Sequence, residues 1–170
     1  MRTFFVDGSC RKNPGPGGFG VVGIEGNNIF YKYNEQTKEN EVTTNNREEL
    51  KAILHIFKKA VQDYRFETVI VHSDSAYCVN MINDWIWKWA NNNWQNSKKQ
   101  EVENIDLVKQ LYNYLTIEFF PCQVVKINGH CGNVGNELAD ALATNDETKY
   151  QKFLTQHELK EHFIVKLENL

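Results

Sequence analysis

The first 34 residues contain three short β-type segments separated by turns, and this pattern limits the possible fold more than any other feature. Residues 2–7 are rich in Thr, Phe and Val, and residues 18–25 and 28–34 have a similar apolar, β-branched character. The connection EGNN at 25–28 has hairpin chemistry, because Gly and Asn tolerate positive φ. We therefore predict that the chain begins with an antiparallel meander.

The next segment, TTNNREELKAILHIFKKAVQDY at 43–64, has the pattern of an amphipathic helix. Its apolar residues recur at intervals of three and four, and charged residues fill the opposite face. Thr43, Thr44 or Asn45 can cap the start, and acidic residues follow in the first turn. The sequence predicts one long helix after the meander.

Strands and helices alternate through the rest of the chain. Two further apolar segments, ETVIVHS at 67–73 and CQVVKI at 122–127, predict strands. Helical patterns lie at 75–83, 84–92, 102–115, 137–145 and in the tail at 150–170. Neither a repeat nor a long linker divides the sequence. This order predicts the α/β class, with a five-stranded mixed sheet flanked by helices.

Composition limits the partners and the compartment. The formal net charge is −3, so any binding to nucleic acid must depend on local patches or on metal ions. No run approaches the roughly 18 consecutive apolar residues of a transmembrane helix, and the N-terminal residues lack the apolar core of a signal peptide. The cysteines lack CxxC spacing and are expected to be reduced thiols. We expect a cytoplasmic protein, or a nuclear one if the source is eukaryotic or viral.

Acidic residues follow two predicted strands and occur on two predicted helices. Asp7 and Asp74 come at strand ends, Glu49 in the first turns of the long helix, and Asp140 in the last ELADALA helix. Carboxylates gathered at one sheet edge would repel one another, and a divalent cation such as Mg²⁺ or Mn²⁺ would relieve that repulsion. A single strand-end aspartate is more often a turn former, so spacing alone leaves this hypothesis of two-metal phosphoryl transfer open.

A recognisable set of motifs runs through the chain in order. They are FVDGSCRKNPGPGGFG, TTNNREELKAI, VHSDSAYCVNMI, DWIWKWANNNW, NIDLV and VKINGHCGNVGNELADALA. With these, residues 4–145 resemble the type 1 ribonucleases H, enzymes that cut the RNA strand of RNA/DNA hybrids. The resemblance implies the ribonuclease H-like fold. It also implies endonucleolytic hydrolysis by a two-metal-ion mechanism that leaves 3′-hydroxyl and 5′-phosphate ends.

The resemblance implies that Asp7, Glu49, Asp74 and Asp140 bind two Mg²⁺ ions, for which Mn²⁺ can substitute. The family places its helix acid directly before a leucine, and this selects Glu49 over the adjacent Glu48. Neighbouring helical residues point about 100° apart, so both cannot face the site. We therefore expect Glu48 to be solvated.

His130 matches the histidine that the family carries on a loop before its last helix. Imidazole exchanges protons near neutral pH, which suits activation of water or release of product. Gly129 and Gly132 surround the His130–Cys131 pair and fit a mobile loop. The plainer alternative is a histidine that makes a loop hydrogen bond, whereas a zinc site lacks paired ligand spacing.

The turn after Asp7 is rich in glycine and proline, and glycine lets a backbone approach a nucleic-acid strand closely. A simple hairpin loop is the alternative, although this turn is long for one. The resemblance implies contacts with the RNA minor groove, where the 2′-hydroxyl distinguishes RNA from DNA. The residues so implied are Gly8, Ser9, Cys10 and Asn13.

The resemblance places the DNA strand against the start of the long helix and against a tryptophan-rich segment. A helix N-terminus suits a phosphate, and plain helix capping is an alternative that can hold at the same time. The implied contacts are Thr44, Asn45 and Asn46 for the DNA phosphate and bases, and Trp85 for a deoxyribose. Trp89 is expected to serve mainly in core packing.

Two departures from the family pattern concern substrate binding. The segment 84–104, which we call the handle, is often strongly basic in the family. Here its three lysines are balanced by three acids, so we expect weaker hybrid binding. Ala76 stands where many relatives carry a glutamine that contacts a base, so that contact is expected to be missing.

The expected organisation is a catalytic domain at 1–145 followed by a helical extension at 146–170. The sequence begins at the catalytic domain, without the separate hybrid-binding domain of many eukaryotic relatives. We therefore expect a compact, monomeric enzyme of bacterial, viral or protist type. Two alternatives remain: another nuclease or integrase-like enzyme of the same fold, and a non-catalytic module that binds hybrids.

Overall fold

The sheet is built around the predicted meander, as seen in a computed structural model that describes residues 1–163. Its strands are β1 (Arg2–Cys10), β2 (Gly17–Glu25), β3 (Asn28–Gln36), β4 (Val69–Ser73), β5 (Cys122–Lys126) and β6 (Lys160–Glu161). Their order in the sheet is β5-β4-β1-β2-β3-β6. The meander is antiparallel, whereas β4, β5 and β6 each join in parallel.

The predicted α/β class and mixed sheet are confirmed, but the predicted number of five strands was wrong. The sixth strand, β6, pairs with the start of β3 and lies in the tail, where only helix was predicted. Lys160 and Glu161 have no alternating apolar pattern that would predict a strand. They form one because they pair with Asn28 and Ile29 of β3 in the folded protein.

The helices agree with the sequence pattern apart from their ends. They are α1 (Asn45–Asp63), α2 (Ala76–Asn80), a π-helical turn (Met81–Trp85), α3 (Ile86–Ala90), α4 (Ile105–Leu115), α5 (Val134–Ala143) and α6 (Glu147–Gln156). The predicted tail helix at 150–170 corresponds to α6, and residues 164–170 lie outside the described part. Among residues 1–163, no helix is both long enough and apolar enough to span a membrane.

Side chains on the two faces of the sheet form two cores, because successive residues of a strand point to opposite faces. On one face Phe4 and Val6 of β1 pack with Leu50 and Phe57 of α1, and α4 completes the layer. On the other face, residues of β2, β3, α5 and α6 pack together: Val22, Ile29, Leu138, Leu142, Tyr150 and Leu154. The sheet therefore holds α1 and α5 on opposite faces.

Close contact between α5 and β2 depends on Gly20. A Cβ at this position would overlap the backbone of Ala139 and Ala143. The glycine thus lets α5 lie directly on the sheet, next to the end of β1.

His55 of α1 is partly buried against the meander. Its Nε2 lies 2.6 Å from the Tyr31 hydroxyl oxygen, and its ring stacks on Tyr33 with centroids 4.0 Å apart. Burial lowers the pKa of His55 to about 4, and the charge of Lys59 contributes in the same direction. The native protein therefore holds a neutral imidazole at neutral pH.

Replacing His55 with Phe is expected to weaken the acid sensitivity of folding. As the pH falls from 6.5 towards 4, the unfolded chain takes up a proton on His55 that the native protein does not, so the free energy of unfolding falls. The wild type should lose about 1–2 kcal/mol more than His55→Phe over this window, after allowance for solvent screening. Urea unfolding at a series of pH values measures this difference, and parallel pH curves would contradict it.

Candidate active site

Asp7 of β1 and Asp74, which directly follows β4, lie near the carboxyl ends of two neighbouring parallel strands in the middle of the sheet. The register pairs Phe5 of β1 with His72 of β4, and two residues further along it brings Asp7 beside Asp74. Carboxyl ends of adjacent parallel strands are the usual place for ligand sites in sheets of this class. The structure thus brings together the two acids that the sequence placed at strand ends, although β1 continues beyond Asp7 to Cys10.

Glu49 joins them from the second turn of α1. A Cβ at Gly8 would overlap the backbone nitrogen of Glu49, so this glycine lets α1 approach the end of β1. Asp7, Glu49 and Asp74 each offer a carboxylate oxygen, and these oxygens lie within 4.8 Å of one another. Three of the four predicted acids therefore form one cluster.

Burial makes this cluster electrostatically unfavourable. Asp7 and Glu49 are each 6% exposed. Burial raises the pKa of both, and for Asp7 the charge of Glu49 and a hydrogen bond with it add to the effect. The charge of Asp74 also raises both pKa values. A bound cation would remove this penalty.

The cluster also contains a buried oxygen with no hydrogen-bond partner. The backbone N–H of Gly8 donates to the Glu49 carboxylate, whereas Glu49 Oε2 is buried and unpartnered. Buried polar atoms are nearly always satisfied, so this oxygen indicates a missing ligand. Carboxylate oxygens are the donors that Mg²⁺ and Mn²⁺ prefer, and the residues present therefore fit a divalent cation.

Asp140, the fourth predicted acid, lies on α5 beside the cluster but outside it. Its charge raises the pKa of Asp7 and of Glu49, so it faces the same site. Its Oδ2 atom, however, is bound by the ammonium of Lys149. The carboxylate is thus near the cluster while paired to a neighbouring cation.

His130 lies on the loop between β5 and α5, and its side chain is 75% exposed. Its Nδ1 is 3.8 Å from Oε1 of Glu137 on α5, and its φ of 54° is in the left-handed region. The loop reaches the cluster through Gly129, where a Cβ would come within 2.6 Å of Asp74 Oδ2. Glycine at 129 therefore has a packing role here.

The expectation that Glu48 is solvated was wrong. Glu48 is 1% exposed, accepts a hydrogen bond from Thr43 Oγ1 at 2.7 Å, and pairs with Lys51 Nζ at 2.8 Å. The 100° offset does turn Glu48 away from the acidic cluster. The side chain of Glu48 is instead buried against the segment before α1, which includes Thr43. The local sequence pattern does not show that this segment shields it from water.

The turn after β1 and the start of α1 form one continuous surface. Gly15 and Thr43 exchange two backbone hydrogen bonds of 3.0 and 2.8 Å. The Asn45 backbone N–H donates to Asn13 Oδ1 at 3.1 Å. Gly8, Ser9 and Cys10 end β1 beside this junction. The structure thus brings the two predicted groups of substrate residues together.

The N-cap of α1 is Thr44, one of the three candidates that the sequence offered. Its Oγ1 accepts a hydrogen bond from the Arg47 backbone N–H at 3.2 Å. Thr43 is committed to Glu48, while Asn45 and Asn46 are the first two helical residues. Helix capping at Thr44 is therefore confirmed, and it leaves the exposed Asn45 amide side chain on the surface.

The handle begins at the π-helical turn, a feature that recurs at functional sites. Trp85 ends this turn and is half-buried, with its ring centroid 5.8 Å from Tyr77 and 6.0 Å from Trp89. Trp89 packs against the first core, as predicted. Arg47 donates to Asn104 Oδ1 at 3.3 Å and forms a two-pronged ion pair with Asp106 of α4, at 2.9 and 2.8 Å, and so ties the end of the handle to α1.

Three residues of this site were missed by the sequence reasoning: Glu137, Lys149 and the packing role of Gly129. Glu137 precedes Asp140 by three positions, so helical spacing could have placed both on one face. Lys149 lies in the tail outside the resemblance, and the chain carries no local signal for it.

Replacing Asp7 with Asn is expected to stabilise the metal-free protein. Because burial and Glu49 raise the pKa of Asp7, the native protein must either keep a buried charge there or hold a proton that the unfolded chain does not bind at neutral pH. The substitution removes this cost and leaves a side chain that can donate to Glu49. The free energy of unfolding in EDTA should rise by about 1–3 kcal/mol. Added Mg²⁺ should stabilise the wild type and have little effect on Asp7→Asn.

Glu118→Gln provides the matched control, because Glu118 is exposed and follows α4, outside the acidic cluster. This control should follow the wild type with and without Mg²⁺ in thermal unfolding. If Asp7→Asn were less stable than the wild type in EDTA, charge crowding would not dominate the site.

Comparison with known proteins agrees with this geometry. The RNase H family model matches residues 1–148. The ribonuclease H of Orientia tsutsugamushi is 38% identical over 162 residues, covering 94% of this chain and 90% of that protein. The ribonuclease H of Caldicellulosiruptor saccharolyticus is 40% identical over 144 residues, covering 83% and 92%.

Among solved structures, LC11-RNase H1 in complex with an RNA/DNA hybrid has the same fold. Its TM-score is 0.64 at 20% identity, and the match covers 87% of this chain and 99% of that one. From the family match, the close relatives and the acidic cluster together, we conclude that this chain belongs to the RNase H family.

Proposed function

We propose that this ribonuclease H hydrolyses the RNA strand of RNA/DNA hybrids at its acidic cluster with two Mg²⁺ ions, leaving 3′-hydroxyl and 5′-phosphate ends. The observation that carries the proposal is the convergence of Asp7, Glu49 and Asp74 with a buried, unpartnered Glu49 oxygen. The hybrid bound by the structural neighbour LC11-RNase H1 supports the choice of substrate.

The acidic residues would hold the ions, with Asp7, Glu49 and Asp74 around one position and Asp140 beside it. Bound divalent cations supply Lewis acidity, which activates water and stabilises the leaving oxygen of a phosphodiester. Mn²⁺ shares the oxygen preference of Mg²⁺ and should substitute for it. The chain itself supplies fixed carboxylates, since β1, β4 and α1 are all packed into the first core.

His130 would exchange protons with the water or with the leaving group. Its exposure and loop position make it accessible to a substrate bound over Asp74. Glu137 Oε1, 3.8 Å from Nδ1, is beyond hydrogen-bond distance but close enough to attract the imidazole when it carries a proton.

The two strands of the hybrid would lie on either side of the junction between the first turn and α1. Backbone groups at Gly8, Ser9, Cys10 and Asn13 would reach the 2′-hydroxyls of the RNA. Thr44, Asn45 and Asn46 would face a phosphate of the DNA strand, and Trp85 a deoxyribose. We propose that residues 1–145 contain this machinery and that 146–170 form an extension.

Strand-specific cleavage tests the proposal. A hybrid labelled on either strand, beside duplex DNA and duplex RNA, should be cut only in its RNA strand and only with Mg²⁺ or Mn²⁺. Asp74→Asn should reduce cleavage by at least about a hundredfold, because it removes a shared ligand. Its affinity for the hybrid, measured without cleavage, should change by less than about threefold. Cleavage in EDTA, or a fully active Asp74→Asn, would contradict the assignment.

The neutral handle predicts a weak dependence of hybrid affinity on salt. In the handle Lys88 already pairs with Asp84 at 3.0 Å, which leaves less positive charge for phosphates. The double change Glu101→Lys and Glu103→Lys, at two exposed positions, should tighten hybrid binding. It should also steepen the slope of log affinity against log salt by about 1 to 2.

Glu118→Lys is the control for this experiment, because it makes the same type of substitution at an exposed position outside the handle, with half the charge change of the double variant. Its salt slope should remain close to that of the wild type. A wild-type slope as steep as that of a ribonuclease H with a basic handle would show that the handle charge does not limit binding.

A further inference from the structure

Lys149 of α6 reaches across to the acidic face of α5. Its Nζ lies 2.5 Å from Asp140 Oδ2 and 2.8 Å from Glu137 Oε2. The side chains of Lys149, Asp140 and Glu137 are 26%, 22% and 13% exposed. These are partly buried ion pairs, and they are correspondingly less screened than pairs on the open surface.

The ammonium is held in this position by the way α6 is anchored. Asp146 caps the helix by accepting the Lys149 backbone N–H at 2.9 Å. Tyr150 and Leu154 are buried in the second core with residues of α5. Because α6 is fixed at its start and along its buried face, Lys149 projects towards α5 and not into solvent.

Asp140 therefore interacts both with the acidic cluster and with Lys149. It lies close enough to the cluster of Asp7, Glu49 and Asp74 to interact with two of its members, yet one of its oxygens already binds a cation of the chain. The charged groups around Lys149 are Asp140, Glu137 and, across Glu137, His130 with Nδ1 at 3.8 Å. An ion approaching Asp140 meets this ammonium.

We propose that Lys149 is a positioning residue that competes with a divalent cation for Asp140 and so weakens binding of the ion on the α5 side of the cluster. In the metal-free protein its ammonium offsets one of the two negative charges of Asp140 and Glu137. Binding of an ion to Asp140 Oδ2 requires Lys149 to move towards Glu137. The inference rests on the proposed function, and it makes α6 part of the active site.

Unequal ion affinities have a consequence for the reaction. The ion held by Asp7, Glu49 and Asp74 faces no such competitor among the residues of the described structure. An ion beside Asp140 would have to displace the Lys149 ammonium, and the negative charge of a substrate phosphate would favour that displacement. Lys149 thereby links occupancy of the second ion position to the presence of substrate.

Metal binding by Lys149→Met tests the inference without relying on cleavage. Methionine keeps an aliphatic chain of similar length and removes the charge. Calorimetry with Mn²⁺ in the absence of hybrid should show binding about three- to tenfold tighter than in the wild type. The melting temperature of the variant should be lower in EDTA and should rise more with Mg²⁺ than that of the wild type.

Lys152→Met is the matched control, because Lys152 is exposed on the same helix and the charge change is identical. It should bind Mn²⁺ as the wild type does, which separates local competition from net charge. Lys149→Arg keeps the positive charge and should bind Mn²⁺ no more tightly than the wild type. Lys149→Gln removes the charge but keeps a polar side chain, and it too should bind Mn²⁺ more tightly than the wild type, so it keeps the test decisive if Lys149→Met does not fold.

The outcomes separate this inference from the proposed function. A wild type that binds no divalent cation would overturn both. A wild type that binds Mn²⁺ normally, with Lys149→Met binding equally or more weakly, would overturn the role of Lys149 alone. In that case the ion pairs only attach α6 to α5.

Discussion

Mutual repulsion among buried carboxylates is the constraint on which this structure depends. Asp7 and Glu49 are almost fully buried, and Asp74 shares their site within 4.8 Å. Such an arrangement opposes folding, so the rest of the protein must hold the three groups in place. The same repulsion gives the site its affinity for a divalent cation, because the ion removes an unfavourable term that folding has already created.

Strands β1 and β4 and helix α1 hold the three acids together because all three elements are paired or packed in the first core. Parallel pairing of β1 with β4 fixes Asp7 beside Asp74, and the Gly8 contact brings in Glu49. All three elements bury apolar side chains in the first core. Burial of many side chains at about 25 cal/mol per Å² outweighs the repulsion of a few charges. Separating the acids would require opening that core.

The proposed substrate surface and the acidic cluster are supported by the same elements. The first turn and the start of α1 are joined by backbone pairing of Gly15 with Thr43, and α1 also carries Glu49. Arg47 of the same helix binds Asn104 at the end of the handle and Asp106 of α4. A hybrid that contacts these surfaces is therefore positioned relative to the acidic cluster by one rigid helix. On the opposite face, Lys149 of α6 reaches the site through its ion pair with Asp140.

The sequence by itself determined the elements and the chemistry. Period-two and helical patterns located five strands and the helices, and the motifs selected Asp7, Glu49, Asp74 and Asp140 among 22 acidic residues. Tertiary structure decided the burial of Glu48, the pairing of β6 with β3, and the ion pair of Lys149 with Asp140. The physical reason is the distance along the sequence between the interacting residues. Periodicity reports what one segment needs from its own neighbours, whereas these three features depend on segments that only packing brings together.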